Sequence, residues 1–145
     1  MNLINKTILM IKFFSKYKFI FYLGNILVII EYLFPGSFMG CLIGSCKIQP
    51  HVTSEKFSIA NLWVSSNHVF GFLIFSLVGY FTYKNLNKLK ILFLYLIFLS
   101  TFLEIMHYLI PKRSFEFSDL FGNLIGVIIV IIISFFIKKY ENYKI

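Results

Sequence analysis

Apolar positions fall into four long blocks along this chain, and these blocks predict its architecture. Residues 19–34, 68–83, 91–110 and 120–137 carry little or no charge in their interiors. Each approaches the roughly 20 residues that an α-helix needs to cross about 30 Å of hydrocarbon. No stretch shows the apolar–polar alternation of a lipid-spanning strand, and a helix satisfies its own backbone in lipid. The pattern predicts an all-α integral membrane protein, a four-transmembrane-helix bundle. Residues 1–18 form an amino-terminal cytoplasmic or interfacial segment, 19–137 one membrane domain with a sizeable loop at 35–66, and 138–145 a tail. Residues 4–14 can lie flat on the inner leaflet as a short amphipathic helix, with Lys6 and Lys12 snorkelling.

Composition supports the same class. The 145 residues are 59% hydrophobic and 14% charged, with a mean hydropathy of +0.82, too apolar for a soluble domain of this size. The net charge of +8 raises the question of nucleic acid, but the distribution of cations answers it. Lys6, Lys12, Lys16 and Lys18 precede the first block, Lys84, Lys88 and Lys90 lie between the second and third, and Lys138, Lys139 and Lys144 follow the fourth. With four spans these regions share one side, and the lysine excess marks it as cytoplasmic, with both termini inside. The basic face reads as an orientation signal with affinity for anionic lipid, and no nucleic-acid partner is expected.

A basic amino end before an apolar run also has the layout of a signal peptide, and SFMGC loosely that of a lipoprotein site at Cys41. Phe38 and Met39 stand before Gly40, however, where small or branched residues are usual, and three more apolar blocks follow. Cys41 and Cys46 fall in the loop that the charge pattern places outside. A disulfide is permitted there, although spacing alone cannot supply its geometry.

Polar residues inside the apolar blocks carry the candidate chemistry. At about 100° per residue, Ser100, Thr101, Glu104, His107 and Tyr108 share one face of the third helix. If that helix runs to residue 110, Glu104 lies about 9 Å below its outer end. A carboxylate at that depth is costly unless protonated, paired or facing a wet cavity, so it marks a functional site by default. On the fourth helix Asp119, Gly122, Asn123 and Gly126 form a second stripe. Its GNLIG element allows close helix approach and offers a surface for an oligomer through Gly122 and Gly126. Asp119 belongs to the first turn, where Ser118 or Asp119 can cap free N–H groups and a carboxylate meets the positive end of the dipole.

A connection of about eight residues favours antiparallel packing of the third and fourth helices. Their stripes then meet at the outer end, near His68 and Glu31. The charged segment PKRSFEFSDLFGN, residues 111–123, becomes the rim of a polar pocket facing away from the cytoplasm, with Glu104 as its floor.

The stretch FLEIMHYLIPKRSFEFSDLFGNLIG is similar to the closing signature of VanZ-like membrane proteins. Glu104, Pro111, Arg113, Ser114, Asp119, Leu120, Asn123 and Gly126 match that signature, and SSNHVFGFLIF resembles the family's Asp-Lys-x-x-His element through His68. The resemblance covers residues 64 to 130. Val64 and Ser65 stand where Asp and Lys are usual, and His107 where Gln is usual. It implies a multi-pass protein of the bacterial cytoplasmic membrane, in a family associated with teicoplanin tolerance.

The leading functional expectation is a non-catalytic module whose pocket, formed by His68, Glu104, His107, Arg113, Asp119 and Asn123, binds an envelope lipid head group, a lipid-linked precursor or another envelope protein. Lys112 and Arg113 suit phosphate, Arg113 through a bidentate fork. An intramembrane enzyme is the first alternative, with Glu104, His68 and His107 as candidate acids, bases or proton carriers. A purely structural scaffold is the second. No metal or other cofactor is expected: Glu104 and His107 have the Glu-x-x-His spacing, but bundle metal sites draw on several such helices. G-x-S-x-G, H-E-x-x-H and phosphate-cradling glycine motifs are absent.

Overall fold

A computed structural model describes residues 3–36, 38–42, 56–59, 62–111 and 113–143. The elements run α1 (Leu3–Leu33), α2 (Phe38–Leu42), strands β1 (Lys56–Ile59) and β2 (Leu62–Ser65), α3 (Ser66–Tyr83), a 3-10 turn at Lys84–Leu86, α4 (Leu89–Met106) and α5 (Phe117–Tyr143). The protein is mostly helical, as the apolar blocks predict. Among the described residues three helices, Ser66–Leu86, Leu89–Met106 and Phe117–Asn142, are long and apolar enough to cross a membrane.

Three boundaries differ from the sequence expectation. First, α1 is one unbroken helix of 31 residues, so residues 4–14 continue the rod and form no separate helix. Second, α4 stops at Met106, and single-turn bonds from the N–H groups of His107, Tyr108 and Leu109 to the carbonyls three residues earlier tighten the chain beyond it. Pro111 disfavours helical conformation at Ile110, which accounts for this early end. Glu104 therefore sits in the last turn of α4 rather than far below its end. Third, the loop at 35–66 contains α2 and an antiparallel hairpin in which Lys56 faces Ser65 and Ile59 faces Leu62. Cys41 is disulfide-bonded, while Cys46 lies outside the described residues, as does Lys112.

The amino ends of α3 and α5 gather with the carboxyl ends of α1 and α4. At the opposite end, the Thr82 hydroxyl donates to the Tyr17 carbonyl and the Tyr83 hydroxyl to Tyr22, which brings the basic connection after α3 beside the middle of α1. The core runs between these ends through Phe21, Phe72, Phe75, Leu92, Leu96, Leu99, Leu103 and Val127. Phe21 stacks on Phe75 at 5.2 Å between ring centroids, joining α1 to α3.

The tightest packing is between α3 and α5, and glycine makes it possible. A Cβ at Gly122 would lie 2.7 Å from the Ser65 carbonyl, and one at Gly126 would lie 2.6 Å from that of Val69. The GNLIG element is thus occupied inside the chain, against α3, and any association between copies would have to use another face. The outward faces remain apolar, with Phe70, Ile74, Leu94, Phe98, Phe102, Ile128, Ile132 and Phe135 exposed, as helices immersed in hydrocarbon require.

Candidate functional site

The end where the four helices converge holds the polar residues singled out from sequence, arranged in two layers. The outer layer is the wall of a cavity of about 310 Å³ that includes Glu31, Tyr32, Asn67, His68, Arg113 and Asp119. Behind it lie Glu104, His107 and Asn123, each at most 2% exposed. The expectation of Glu104 as the pocket floor is therefore refined: it stands behind the wall residues.

The inner layer ties helix ends together. Glu104 Oε1 accepts the backbone N–H of Glu116 at 3.1 Å, fastening the carboxyl end of α4 to the residue preceding α5. The same oxygen lies 3.2 Å from His107 Nδ1. His107 Nε2 is 3.2 Å from the Tyr32 carbonyl, which can only accept, so Nε2 carries a proton. The Glu104–His107 contact then shares one further proton, either carboxyl donating to neutral imidazole or imidazolium donating to carboxylate. The His107 ring also stacks on Tyr32, 5.6 Å between centroids, which fixes its plane.

Tyr32 connects the layers. Its hydroxyl donates to Asn123 Oδ1 and meets His68 Nδ1 at 2.8 Å. His68 Nδ1 is also 3.1 Å from Asn123 Oδ1, and His68 Nε2 faces Asp119 Oδ2 at 3.4 Å. The hydroxyl of Ser65, in β2, hydrogen-bonds to Asp119, and the Ser118 hydroxyl bridges Asp119 Oδ1 and Glu116 Oε2. Asp119 lies in the first turn of α5, as expected from sequence.

Arg113 also holds the chain end of α1. Its Nε donates to the Phe34 carbonyl at 3.2 Å, and its Nη2 to the carbonyls of Glu31, at 2.8 Å, and Gly36. The guanidinium thereby closes the carboxyl end of α1, where helix carbonyls lack intrahelical partners and favour a cation. Gly36 has a φ of 125°, which an L side chain rarely adopts, and this turn brings its carbonyl to Arg113.

His68, Glu104, His107, Asp119 and Asn123 are thus brought into one network, and Arg113 borders the same cavity. Tyr32, Ser65 and the Glu116 backbone were missed from sequence. Tyr32 carried a usable signal, a phenol one position beyond Glu31 near the end of an apolar block. The Glu116 N–H carried none, because a backbone donor has no side-chain signature. Two buried side-chain atoms in the inner layer, Glu104 Oε2 and Asn123 Nδ2, have no hydrogen-bond partner among the described residues. Compared with known proteins, the chain matches no family model, no curated protein and no solved structure.

Proposed function

We propose that this chain is a four-span protein of the bacterial cytoplasmic membrane, with both termini inside, whose outer cavity binds the head group of an envelope lipid or lipid-linked precursor. The carrying observation is the cavity itself: a recess of about 310 Å³, part apolar and part polar, at the helix ends remote from the basic connection after α3. Its wall mixes donors with acceptors, Asn67, His68 and Arg113 beside Glu31 and Asp119. Such a lining suits a head group that carries phosphate together with hydroxyl or amine groups. The fourth span is α1, whose Phe19, Leu23, Ile26, Leu27 and Ile30 are exposed on a helix packed against the bundle through Phe21. The likeness to VanZ-like proteins supports the envelope assignment and makes glycopeptide susceptibility a useful phenotype. A direct acid–base role for Glu104 is less favoured, because Glu104 stands behind the wall.

Gly71 provides the test, since it lines the cavity and a Cβ built on it meets nothing within 4 Å. Gly71→Trp should fill the recess without disturbing helix packing. Wild-type protein purified in several mild detergents should carry an enriched envelope lipid by mass spectrometry, and the folded Gly71→Trp protein should not. Equal lipid content in the two would refute the reading.

A further inference from the structure

We propose that His68, Glu104 and Asp119 form a binding site for a divalent first-row transition cation, with open coordination positions toward the cavity. One ring nitrogen of His68, one carboxylate oxygen of Glu104 and one of Asp119 all lie within 4.8 Å of one another. They come from the amino end of α3, the last turn of α4 and the first turn of α5. A tetrahedral ion at ordinary bond lengths spaces its donors roughly 3.4 Å apart. The His68–Asp119 pair already stands at 3.4 Å, and Glu104 completes the set within 4.8 Å.

Two further features point to a cation. The Tyr32 hydroxyl spends its one proton on Asn123 Oδ1, so its contact with His68 Nδ1 requires the hydrogen to come from the imidazole. With Nδ1 protonated, a neutral His68 presents the Nε2 lone pair to Asp119 Oδ2, acceptor against acceptor. Something must lie between them: a proton, held by Nε2 or by the Asp119 carboxyl, or a metal ion. Independently, Glu104 Oε1 is engaged by the Glu116 N–H and His107, while Oε2 is buried with no partner among the described residues. An ion held through Oε2 would give the orphaned oxygen a partner, and with the shared proton on His107 the carboxylates of Glu104 and Asp119 balance a double positive charge. The Tyr32 and Asn123 contacts to His68, and the Glu116 contact to Glu104, supply the outer hydrogen bonds that orient metal ligands.

The donor set narrows the ion. An imidazole nitrogen disfavours Mg²⁺ and Ca²⁺, which prefer oxygen ligands, and the lack of sulfur disfavours Cu⁺. Zn²⁺ is the suitable first probe, being redox-silent and strongly held by nitrogen and oxygen donors. The site goes beyond the head-group reading and stands without it.

The test uses the full chain in detergent, stripped with chelator and dialysed against ZnCl₂. Elemental analysis should find near-stoichiometric Zn²⁺ in wild type and in Thr101→Val, and little in Asp119→Asn or His68→Gln. Tyr32→Phe should weaken binding about 10- to 100-fold, as loss of an outer hydrogen bond does. Co²⁺ titration of wild type, which needs no variant, should give the visible d–d bands of nitrogen–oxygen coordination. Zn²⁺ uptake equal in wild type and Asp119→Asn, or absent from wild type, would overturn the site, as would Co²⁺ spectra identical to the free ion. Stoichiometric Zn²⁺ in protein that enriches no lipid would keep the metal site and discard the head-group proposal.

Discussion

At the residue scale, the decisive relation is the one proton shared by Glu104 and His107 beneath the cavity wall. Both side chains are buried and each holds a second partner, the Glu116 N–H for Glu104 and the Tyr32 carbonyl for His107. A single substitution therefore leaves the other group with an unmet requirement in low dielectric. Glu104→Gln and His107→Gln should each lower thermal stability in detergent, and the double variant should lose less than the sum. The coupling expected for groups in contact is about 0.5–3 kcal/mol. Strict additivity would show that the two do not interact directly. The sequence offered Arg113 as a phosphate ligand, and the folded chain also engages its guanidinium with carbonyls at the end of α1. Charge complementarity along the chain does not reveal that a backbone terminus competes for the cation.

At the element scale, helix propensity and packing make opposite predictions for glycine. In an isolated helix, replacing Gly by Ala stabilises by about 0.5–1 kcal/mol. Gly71 should follow that rule, because its missing Cβ faces open space. Gly122→Ala and Gly126→Ala should break it, since each new methyl would strike backbone of β2 or α3 that cannot rotate away. Overpacking of this kind costs typically about 1–3 kcal/mol. Melting temperatures of the three variants decide the matter: stabilisation at all three positions would mean that α3 and α5 are not in this close contact. The sequence showed small residues four apart on α5, but not which neighbour would use them. The early end of α4 was partly legible, because Pro111 was in view while the tightened turn at 107–109 depended on bonds formed in the folded chain.

At the scale of the whole molecule, the basic connection after α3 and the polar cavity occupy opposite ends of the helices. If both termini are cytoplasmic, a single cysteine replacing Ser114 should react with an impermeant reagent applied to intact cells, and one replacing Asn87 should not, with Cys41 and Cys46 substituted in both. Reaction at Asn87 from outside would invert the bundle and place the cavity in the cytoplasm. Such an inversion would leave the internal geometry intact, because the network at the cavity depends on helix ends meeting and not on which side they meet.

The sequence by itself determined the membrane class and the positions of the three long apolar helices after residue 65, and it singled out polar residues that the fold brings together. Periodicity, hydropathy and charge distribution are local properties of the chain and survive without a fold. The tertiary structure alone decided how those residues are used. It turned Arg113 toward the carbonyls of α1, set Glu104 behind the cavity wall, and brought Tyr32 between His68 and Asn123. It also placed His68, Glu104 and Asp119, which come from three helices, within reach of one ion. Those outcomes depend on how close helix ends approach and in what rotation. These are set by packing at Gly122 and Gly126 and by which backbone groups remain unpaired at each terminus, and neither is written in the local pattern of residues.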